Sequence, residues 1–210
     1  MMELNKKLNM TSAVKNEVIY FAEEPSESIF FLKEGQIKLS RTSEEGKESI
    51  SSILKPGDIF GELAIAGESK REDSAIALED VLICTISKGN FEKLLIETPE
   101  LNLRITRIIG LKLQRVNRNL ENLIFKDSYS RVLEFLKRYA EEFGKKIGKE
   151  IFIRTTLTHQ DIANLTSTSR QTVTTIMNDL KNDGIIDFNR IKIKVKDLNK
   201  LSAYKQHKHS

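Results

Sequence analysis

The chain has 210 residues, a net charge of +4 and a pI near 9.0, which leaves room for two modest domains and permits a polyanionic partner. Its single cysteine, Cys84, excludes internal disulfides and four-cysteine iron–sulfur or zinc sites. The sequence contains no apolar run long enough to span a membrane and begins without the apolar stretch of a signal peptide, so we expect a cytoplasmic protein with no membrane partner.

From Val14 to about Ser87, short alternating apolar runs are separated by glycine turns. We interpret seven runs as strands: EVIYF, SIFFLKEG, QIKLSRT, ESISSILKPGD, IFGEL, SAIAL and VLICTI. Regular short strands indicate an antiparallel sandwich or barrel. Cys84 lies within VLICTI, which favours an inert thiol in the core.

From Pro99 to about Phe125 the pattern changes to that of one long helix. Its apolar residues alternate spacings of four and three, the heptad repeat of a coiled coil. The residues of this heptad seam are Ile109, Leu113, Val116, Leu120 and Leu123. A helix packed on its own domain would also carry an apolar stripe, but this one is narrow and regular. We therefore predict a parallel contact with the same helix of a second copy.

Lys126 and Asp127 interrupt the apolar pattern, and another amphipathic helix is predicted from Ser128 to Phe143. The segment FGKKIGKEIFIRTTL is typical of a hairpin. Residues 157–196 then predict a helix, a tight turn, a second helix and a basic hairpin. This order is that of a winged helix-turn-helix, whose second helix lies in the DNA major groove.

Caps and periodicity define the two helices of this motif. Thr158 and Ser169 are natural caps, and Ser167 stands in the turn, where a left-handed backbone would cost about 1–2 kcal/mol. Four apolar residues at helical spacing are predicted to face the core: Val173, Ile176, Met177 and Leu180. The predicted DNA-contacting residues are Thr158, His159, Gln160, Ser169, Arg170, Gln171, Thr172, Thr174 and Thr175. The alternatives are a helical subdomain with a polar face, or one that docks a protein.

Together these regions resemble the cyclic-AMP receptor protein and fumarate–nitrate regulator (Crp/Fnr) superfamily of bacterial transcription factors. The motifs are KEG at 33–35, EEGKE at 44–48, KPGDIFGEL at 55–63, SA at 74–75, NLIF at 122–125 and SRQTV at 169–173. The resemblance implies an α+β fold with a cyclic-nucleotide-binding-like β-roll sensor (1–97), a dimerisation helix (98–126) and a winged helix-turn-helix DNA-binding domain (127–210). It implies a homodimer on palindromic promoter DNA and no enzymatic activity, with RNA polymerase as a further partner if transcription is activated.

Within that superfamily, Arg170 is expected to pair with guanine O6 and N7. Gln171 stands where members commonly carry glutamate, and Thr175 stands where an arginine often lies, so the half-site should differ from the best-known consensus. The wing lysines 192, 194 and 196 either follow the DNA backbone or are simply solvated.

The sensor departs from the pattern of cyclic-nucleotide-binding members. In those members an arginine immediately before the Ser-Ala pair neutralises the cyclic phosphate, whereas this chain has Asp73, which would repel it. The Thr-Ser pair that reads adenine is replaced by Val116 and Asn117. We expect a sensor that does not bind cyclic AMP. The alternative is a cyclic-nucleotide-responsive activator that uses Arg71 after a loop shift. The candidate pocket residues are Gly61, Glu62, Leu63, Arg71, Asp73, Ser74, Ala75, Val116 and Asn117.

Other effectors of the superfamily can be judged in the same way. One cysteine cannot hold an iron–sulfur cluster, and neither the β-roll nor the long helix contains a histidine to bind haem. No metal or cofactor is therefore predicted. An apolar or weakly polar small molecule, or no effector at all, remains.

Overall fold

A computed structural model describes residues 9–204, which form two compact units that divide between Val116 and Asn117. The strands of the first unit are β1 (Asn9–Ala13), β2 (Val18–Tyr20), β3 (Ser28–Glu34), β4 (Ile37–Thr42), β5 (Glu48–Leu54), β6 (Ile59–Phe60), β7 (Ser74–Ala77) and β8 (Val81–Ser87). A 3-10 helix, Glu62–Ala66, follows β6. Two α-helices follow β8: α1 (Lys88–Glu97) and α2 (Pro99–Phe125), the second of which runs on into the second unit.

The strands of the first unit form two antiparallel sheets, in the orders β1-β8-β3-β6 and β2-β7-β4-β5. Side chains alternate between the two faces of a strand, so each sheet turns one set of apolar residues towards a shared core. That core contains Ala13, Tyr20, Leu32, Ile37, Leu54, Phe60, Ala75, Ala77, Val81 and Ile83. The predicted antiparallel β-roll is confirmed.

The first sheet is also covered on its other face. Ile29 and Ile86 have the opposite parity to Leu32 and Ile83 on the same strands, and they pack with Phe91 of α1. Ile59, Ala64 and Ile105 of α2 complete this second cluster. The β3 and β8 strands are therefore apolar on both faces, which explains why SIFFL and VLICTI read as nearly continuous apolar runs.

Three elements differ from the prediction for this region. The strand β1 was not predicted, because NMTSA is a polar edge strand that buries only Ala13 and is defined by its pairing with β8. Helix α1 was not predicted either, since it buries one residue, Phe91. Only Ile59–Phe60 of IFGEL is a strand. Gly61, with φ of +70°, turns the chain, and Glu62 begins the 3-10 helix, so the predicted strand was wrong at its end.

The second unit follows the order predicted from the sequence. Its elements are α3 (Ser128–Phe143), β9 (Lys145–Ile147), β10 (Glu150–Arg154), α4 (His159–Thr166), α5 (Arg170–Asn182), β11 (Ile186–Asn189), β12 (Lys192–Val195) and α6 (Leu198–Ala203). The four strands form one antiparallel sheet in the order β11-β12-β10-β9, so the wing hairpin β11-β12 is continuous with the hairpin before the helix-turn-helix. The short helix α6 was not predicted. No helix within residues 9–204 has the length and apolar character needed to cross a membrane.

Candidate functional sites

The first helix of the helix-turn-helix, α4, begins with a capping box. The Thr158 hydroxyl accepts the Asp161 N–H at 3.1 Å and donates to the Asp161 carboxylate at 2.6 Å, and the Thr158 N–H donates to the same carboxylate at 2.8 Å. This satisfies amide groups that a helix start leaves without partners. The predicted cap is confirmed, and the hydroxyl proton of Thr158 is already bonded to Asp161 within it.

The second helix, α5, has exposed polar side chains at its amino end. Ser169 caps it by accepting the Thr172 N–H at 3.0 Å, while the four predicted core residues of this helix are all buried. Arg170, Gln171 and Thr175 are exposed. Within residues 9–204, no hydrogen bond or ion pair involves the side chain of Arg170. These side chains are therefore free to contact an external ligand.

The turn between the helices is strained and is held by an arginine. Ser167 has φ and ψ of 50°, the left-handed conformation. Arg131 of α3 donates to the carbonyls of Thr166 at 2.8 Å and Ser167 at 2.9 Å. Its third bond, at 2.8 Å, goes to the carbonyl of Lys126, which lies between α2 and α3. Arg131 was not predicted from the sequence, because its two partners in the turn lie 35 and 36 residues away and an arginine on an amphipathic helix carries no local signal.

His159 joins the two helices to the wing. Its Nδ1 lies 2.9 Å from Oγ1 of Thr174, and its ring centroid lies 5.7 Å from that of Phe188 on β11. Burial, followed by the positive charge of Arg170, lowers the pKa of His159 below its ordinary value. Gln160, by contrast, donates to the Asn164 side chain on its own helix at 2.8 Å.

A groove of about 360 Å³ runs between α5 and the amino end of α3. Its lining residues are Asp127, Ser128, Tyr129, Ser169, Gln171, Thr172, Thr175, Ile176 and Asp179. It brings Ser128 and Tyr129, which were not among the predicted site residues, next to four that were: Ser169, Gln171, Thr172 and Thr175. Asp127 could have pointed to these two residues, because it caps α3 and so fixes where that helix starts.

The wing lysines Lys192 and Lys194 differ in whether they form an ion pair. Lys194 pairs with Glu150 at 2.7 Å and lies 5.5 Å from the centre of the Phe152 ring. Lys192 lies over the same ring at 4.4 Å but has no ion pair among the described residues. Lys192 is therefore the better placed of the two to meet a polyanion.

In the first unit, a cavity of about 80 Å³ lies at the predicted sensor site. It is lined by Tyr20, Leu39, Gly61, Glu62, Leu63, Glu68, Arg71, Glu72 and Asp73. Five of these were predicted from the sequence. Ser74, Ala75 and Val116 do not line it: Ser74 accepts the Ala22 N–H at 2.9 Å, Ala75 is in the sandwich core, and Val116 is exposed on α2. Asn117 is exposed on α2 in the second unit.

Arg71 is buried inside the unit and already has partners. Its two terminal nitrogens donate to the carbonyls of Gly61, at 3.1 Å, and Ser28. The guanidinium carbon lies 4.6 Å from the centre of the Tyr20 ring. A Cβ at Gly61 would lie 2.6 Å from the Arg71 side chain, so the close approach requires glycine there. Burial raises the pKa of Tyr20 well above its ordinary value, although Arg71 opposes this shift.

Glu62 and Asp73, the two acidic residues predicted for this cavity, both have partners. Asp73 accepts from the Ser51 hydroxyl at 2.8 Å and from Arg41 at 3.4 Å, so its charge is partly neutralised by a neighbouring strand. Glu62 is nearly buried, and its carboxylate lies 2.7 Å from the Lys112 Nζ. These partners could not be predicted from the sequence, because they lie between 22 and 50 residues away along the chain.

The heptad seam on α2 is exposed to solvent along its length. The side chains of Ile109, Leu113, Val116, Leu120 and Leu123 are between 42% and 61% exposed. Leu103, Leu111, Ile124 and Phe125 of the same helix are exposed as well, so the apolar surface is wider than the seam alone. Isolated exposed apolar residues are normal, but a continuous row is typical of an interaction surface.

Comparisons with known proteins agree with this layout. Residues 10–98 match the cyclic nucleotide-binding domain family, and residues 130–204 match the Crp-like helix-turn-helix domain family. The chain is 28% identical over 199 residues to a CRP-like cAMP-activated global transcriptional regulator of Mycobacterium tuberculosis, covering 95% of this chain and 89% of that protein. It is 31% identical over 183 residues to the global nitrogen regulator of Nostoc, covering 86% and 82%.

A solved structure extends the similarity to the fold. The structure of a CooA mutant from Carboxydothermus hydrogenoformans matches with a TM-score of 0.79 and 28% identity, over 96% of this chain and 89% of that one. The names of the Mycobacterium and Nostoc proteins describe regulators, in the first case of transcription, and not enzymes.

Proposed function

Because the chain belongs to the Crp/Fnr superfamily and is a DNA-binding transcription regulator, we propose that it acts as a homodimer on palindromic promoter DNA and that its sensor does not bind cyclic AMP. A promoter-binding protein works where the DNA is, so the proposal places it in the cytoplasm. The observation that carries the DNA-binding part is the exposed amino end of α5, where the side chain of Arg170 makes no hydrogen bond or ion pair within residues 9–204.

The homodimer is supported by the heptad seam of α2. Five apolar side chains about half exposed lie along one line of a 27-residue helix. Pairing two such helices in parallel removes this surface from water, at roughly 25 cal/mol for each Å² buried. A two-fold dimer also places two α5 helices about one DNA turn apart, which is the geometry that a palindromic site requires.

The base contacts are assigned to the exposed residues of α5. Arg170 can donate two hydrogen bonds to guanine, and Gln171 can pair with adenine. Thr175 lies one turn beyond Gln171 and is also exposed. The hydroxyls of Ser169 and Thr172 lie 2.8 Å apart and serve the cap, so we assign them to positioning on the phosphate backbone.

Three contacts argue against cyclic-nucleotide binding. Glu62, which matches the residue that contacts ribose in cyclic-nucleotide-binding members, is paired with Lys112. Arg71 is bonded to two carbonyls. Asp73, at the position of those members' phosphate-binding arginine, lines the cavity with a carboxylate. The cavity of about 80 Å³ is also far below the roughly 300–1,000 Å³ of pockets for drug-sized ligands. The alternative, an activator that uses Arg71, is favoured only by the place of Arg71 in the cavity lining. It would require Arg71 to leave both carbonyls.

Two experiments test the proposal. Isothermal titration calorimetry of the full-length protein with cyclic AMP and cyclic GMP should give no saturable heat at micromolar nucleotide. Saturable heat, together with tighter DNA binding in the presence of nucleotide, would establish the Arg71 alternative instead. Selection from random duplexes followed by footprinting should yield a two-fold symmetric protected site. A monomer with no sequence preference would overturn the DNA-binding part.

A further inference from the structure

The first residue of α4, His159, contacts each of the elements that form the DNA-binding surface. Its Nδ1 meets the Thr174 hydroxyl of α5 at 2.9 Å, and its ring packs near Phe188 of the wing. The side chain is only half-buried, and the described residues provide no hydrogen-bond partner for its Nε2. One ring nitrogen is therefore bound inside the motif while the other remains available.

The Thr174 hydroxyl decides which nitrogen carries the proton of the neutral ring. That hydroxyl donates its single proton to the carbonyl of Arg170, one turn earlier on α5, at 2.9 Å. Its oxygen can then only accept from His159, so Nδ1 carries the proton. In the neutral ring, Nε2 is consequently a bare lone pair. Protonation of the ring adds an N–H at Nε2 and leaves the bond to Thr174 unchanged.

The charged groups on the surrounding elements do not stabilise the protonated ring in the free protein. On α4, the Asp161 carboxylate is occupied by the capping box. On α5, Arg170 is positive and opposes protonation, and on α5 and the wing, Lys181 and Asp187 pair with each other at 3.1 Å. A negative charge supplied from outside would therefore have a large effect on this histidine.

We propose that His159 is a proton-linked contact to the DNA backbone. The protonated ring meets a phosphate through Nε2–H, so each protomer takes up one proton when it binds DNA. This inference rests on the proposed function, because the phosphate must lie beside α4 and α5. A neutral ring would present a lone pair to the phosphate oxygens, whereas the protonated ring presents both a donor and a positive charge.

The sign of the pH dependence follows from linkage. In the free protein the pKa of His159 lies below its ordinary value, and a phosphate at Nε2 raises the pKa in the complex. The affinity is therefore lowest above the pKa of the complex, rises as pH falls between the two values, and levels off below the pKa of the free protein. The steepest possible rise in affinity is about tenfold per pH unit for each His159, of which every protomer has one.

The test is fluorescence anisotropy of the full-length protein on its selected duplex, from pH 5.0 to 8.5 at constant ionic strength. The wild type should bind more tightly at low pH. The variant His159→Asn, whose amide can still donate to Thr174, should give a flat profile with the wild-type affinity of high pH. The variant His159→Arg, which keeps a positive charge at every pH, should give a flat profile with tighter binding. Because His207 and His209 are the other two histidines of the chain and lie outside the described residues, a His207→Gln/His209→Gln variant is the control and should keep the wild-type profile.

The outcomes separate this inference from the function on which it rests. If the wild type binds its duplex specifically but His159→Asn has the same pH profile, the proton linkage is wrong and the DNA-binding function stands. If specific binding is absent at every pH, both are wrong. An NMR measurement of the imidazole nitrogens at pH 8 checks the tautomer independently of how the variants fold. A proton on Nε2 in the free protein would overturn the proposal.

Discussion

The Lys112 ammonium on α2 lies 2.7 Å from the Glu62 carboxylate and donates, also at 2.7 Å, to the carbonyl of Ile59. A helix side chain thus holds both β6 and the start of the 3-10 helix that lines the sensor cavity. Because Glu62 is nearly buried, its charge needs this cation. The contact therefore connects the segment from Ile59 to Glu62, which borders the sensor cavity, to the helix that carries the heptad seam.

Replacing Lys112 with methionine should therefore destabilise the sensor. The variant leaves the Glu62 carboxylate without its cation. We expect the free energy of unfolding in urea to fall by about 1–3 kcal/mol, which is less than for a fully buried pair because Lys112 is one-third exposed. Adding Glu62→Gln should recover part of the loss. The control is Lys70→Met, whose pair with Glu23 at 3.4 Å is exposed and should contribute less than about 0.5 kcal/mol. Equal losses in the two single variants would contradict the role given to Lys112.

Arg170→Ala should reduce discrimination between DNA sequences. We expect the variant to lose about 1–3 kcal/mol, or roughly 5- to 150-fold, at one G·C pair of each half-site, because the guanine loses two donors. The measurement compares affinities for the selected duplex and for duplexes changed at that pair. Lys192→Ala on the wing is the control, and it should weaken all duplexes by a similar factor. A uniform loss for Arg170→Ala would assign Arg170 to a phosphate instead.

Leu113→Glu should convert the dimer to monomers. The charge would lie in the heptad seam, where pairing of the helices would bury it without a partner. Leu111→Glu is a matched control, since Leu111 and Leu113 lie on the same helix with 62% and 61% exposure, but Leu111 is off the seam. Sedimentation velocity at micromolar concentration should give monomer for the first variant and dimer for the second. If both remain dimers, the heptad seam is not the interface.

Ser167→Gly should stabilise the DNA-binding unit. Serine is strained at φ of 50°, and glycine adopts this conformation freely, so the free energy of unfolding should rise by roughly 0.5–1.5 kcal/mol. The same change at Ser169, where φ is −87° and the hydroxyl caps α5, should lower it by a few tenths of a kcal/mol. Urea unfolding of the two variants checks the opposite signs. A loss of stability in Ser167→Gly would show that the turn carries no strain.

Elements defined by neighbouring residues could be predicted from the sequence. Asp127 and Gly144 bracket α3, whose predicted bounds of Ser128 and Phe143 are those observed. Thr158 and Ser169 cap their helices through bonds to residues three positions away. Such signals are local, so they do not depend on how the rest of the chain folds. The motifs of the superfamily supplied the order of the domains in the same way.

Contacts between distant residues were decided only by the tertiary structure. Lys112 meets Glu62 across 50 positions, Arg71 meets Ser28 across 43, and Arg131 meets Thr166 across 35. The strand β1 exists because β8 offers it hydrogen bonds, and its own sequence is polar. The sequence by itself determined the bounds of α3, the caps of α4 and α5, the wing and the exposed Arg170 face. The folded chain alone decided that the sensor's acidic and basic groups pair with one another, because a side chain acquires a distant partner only after the intervening segments have packed.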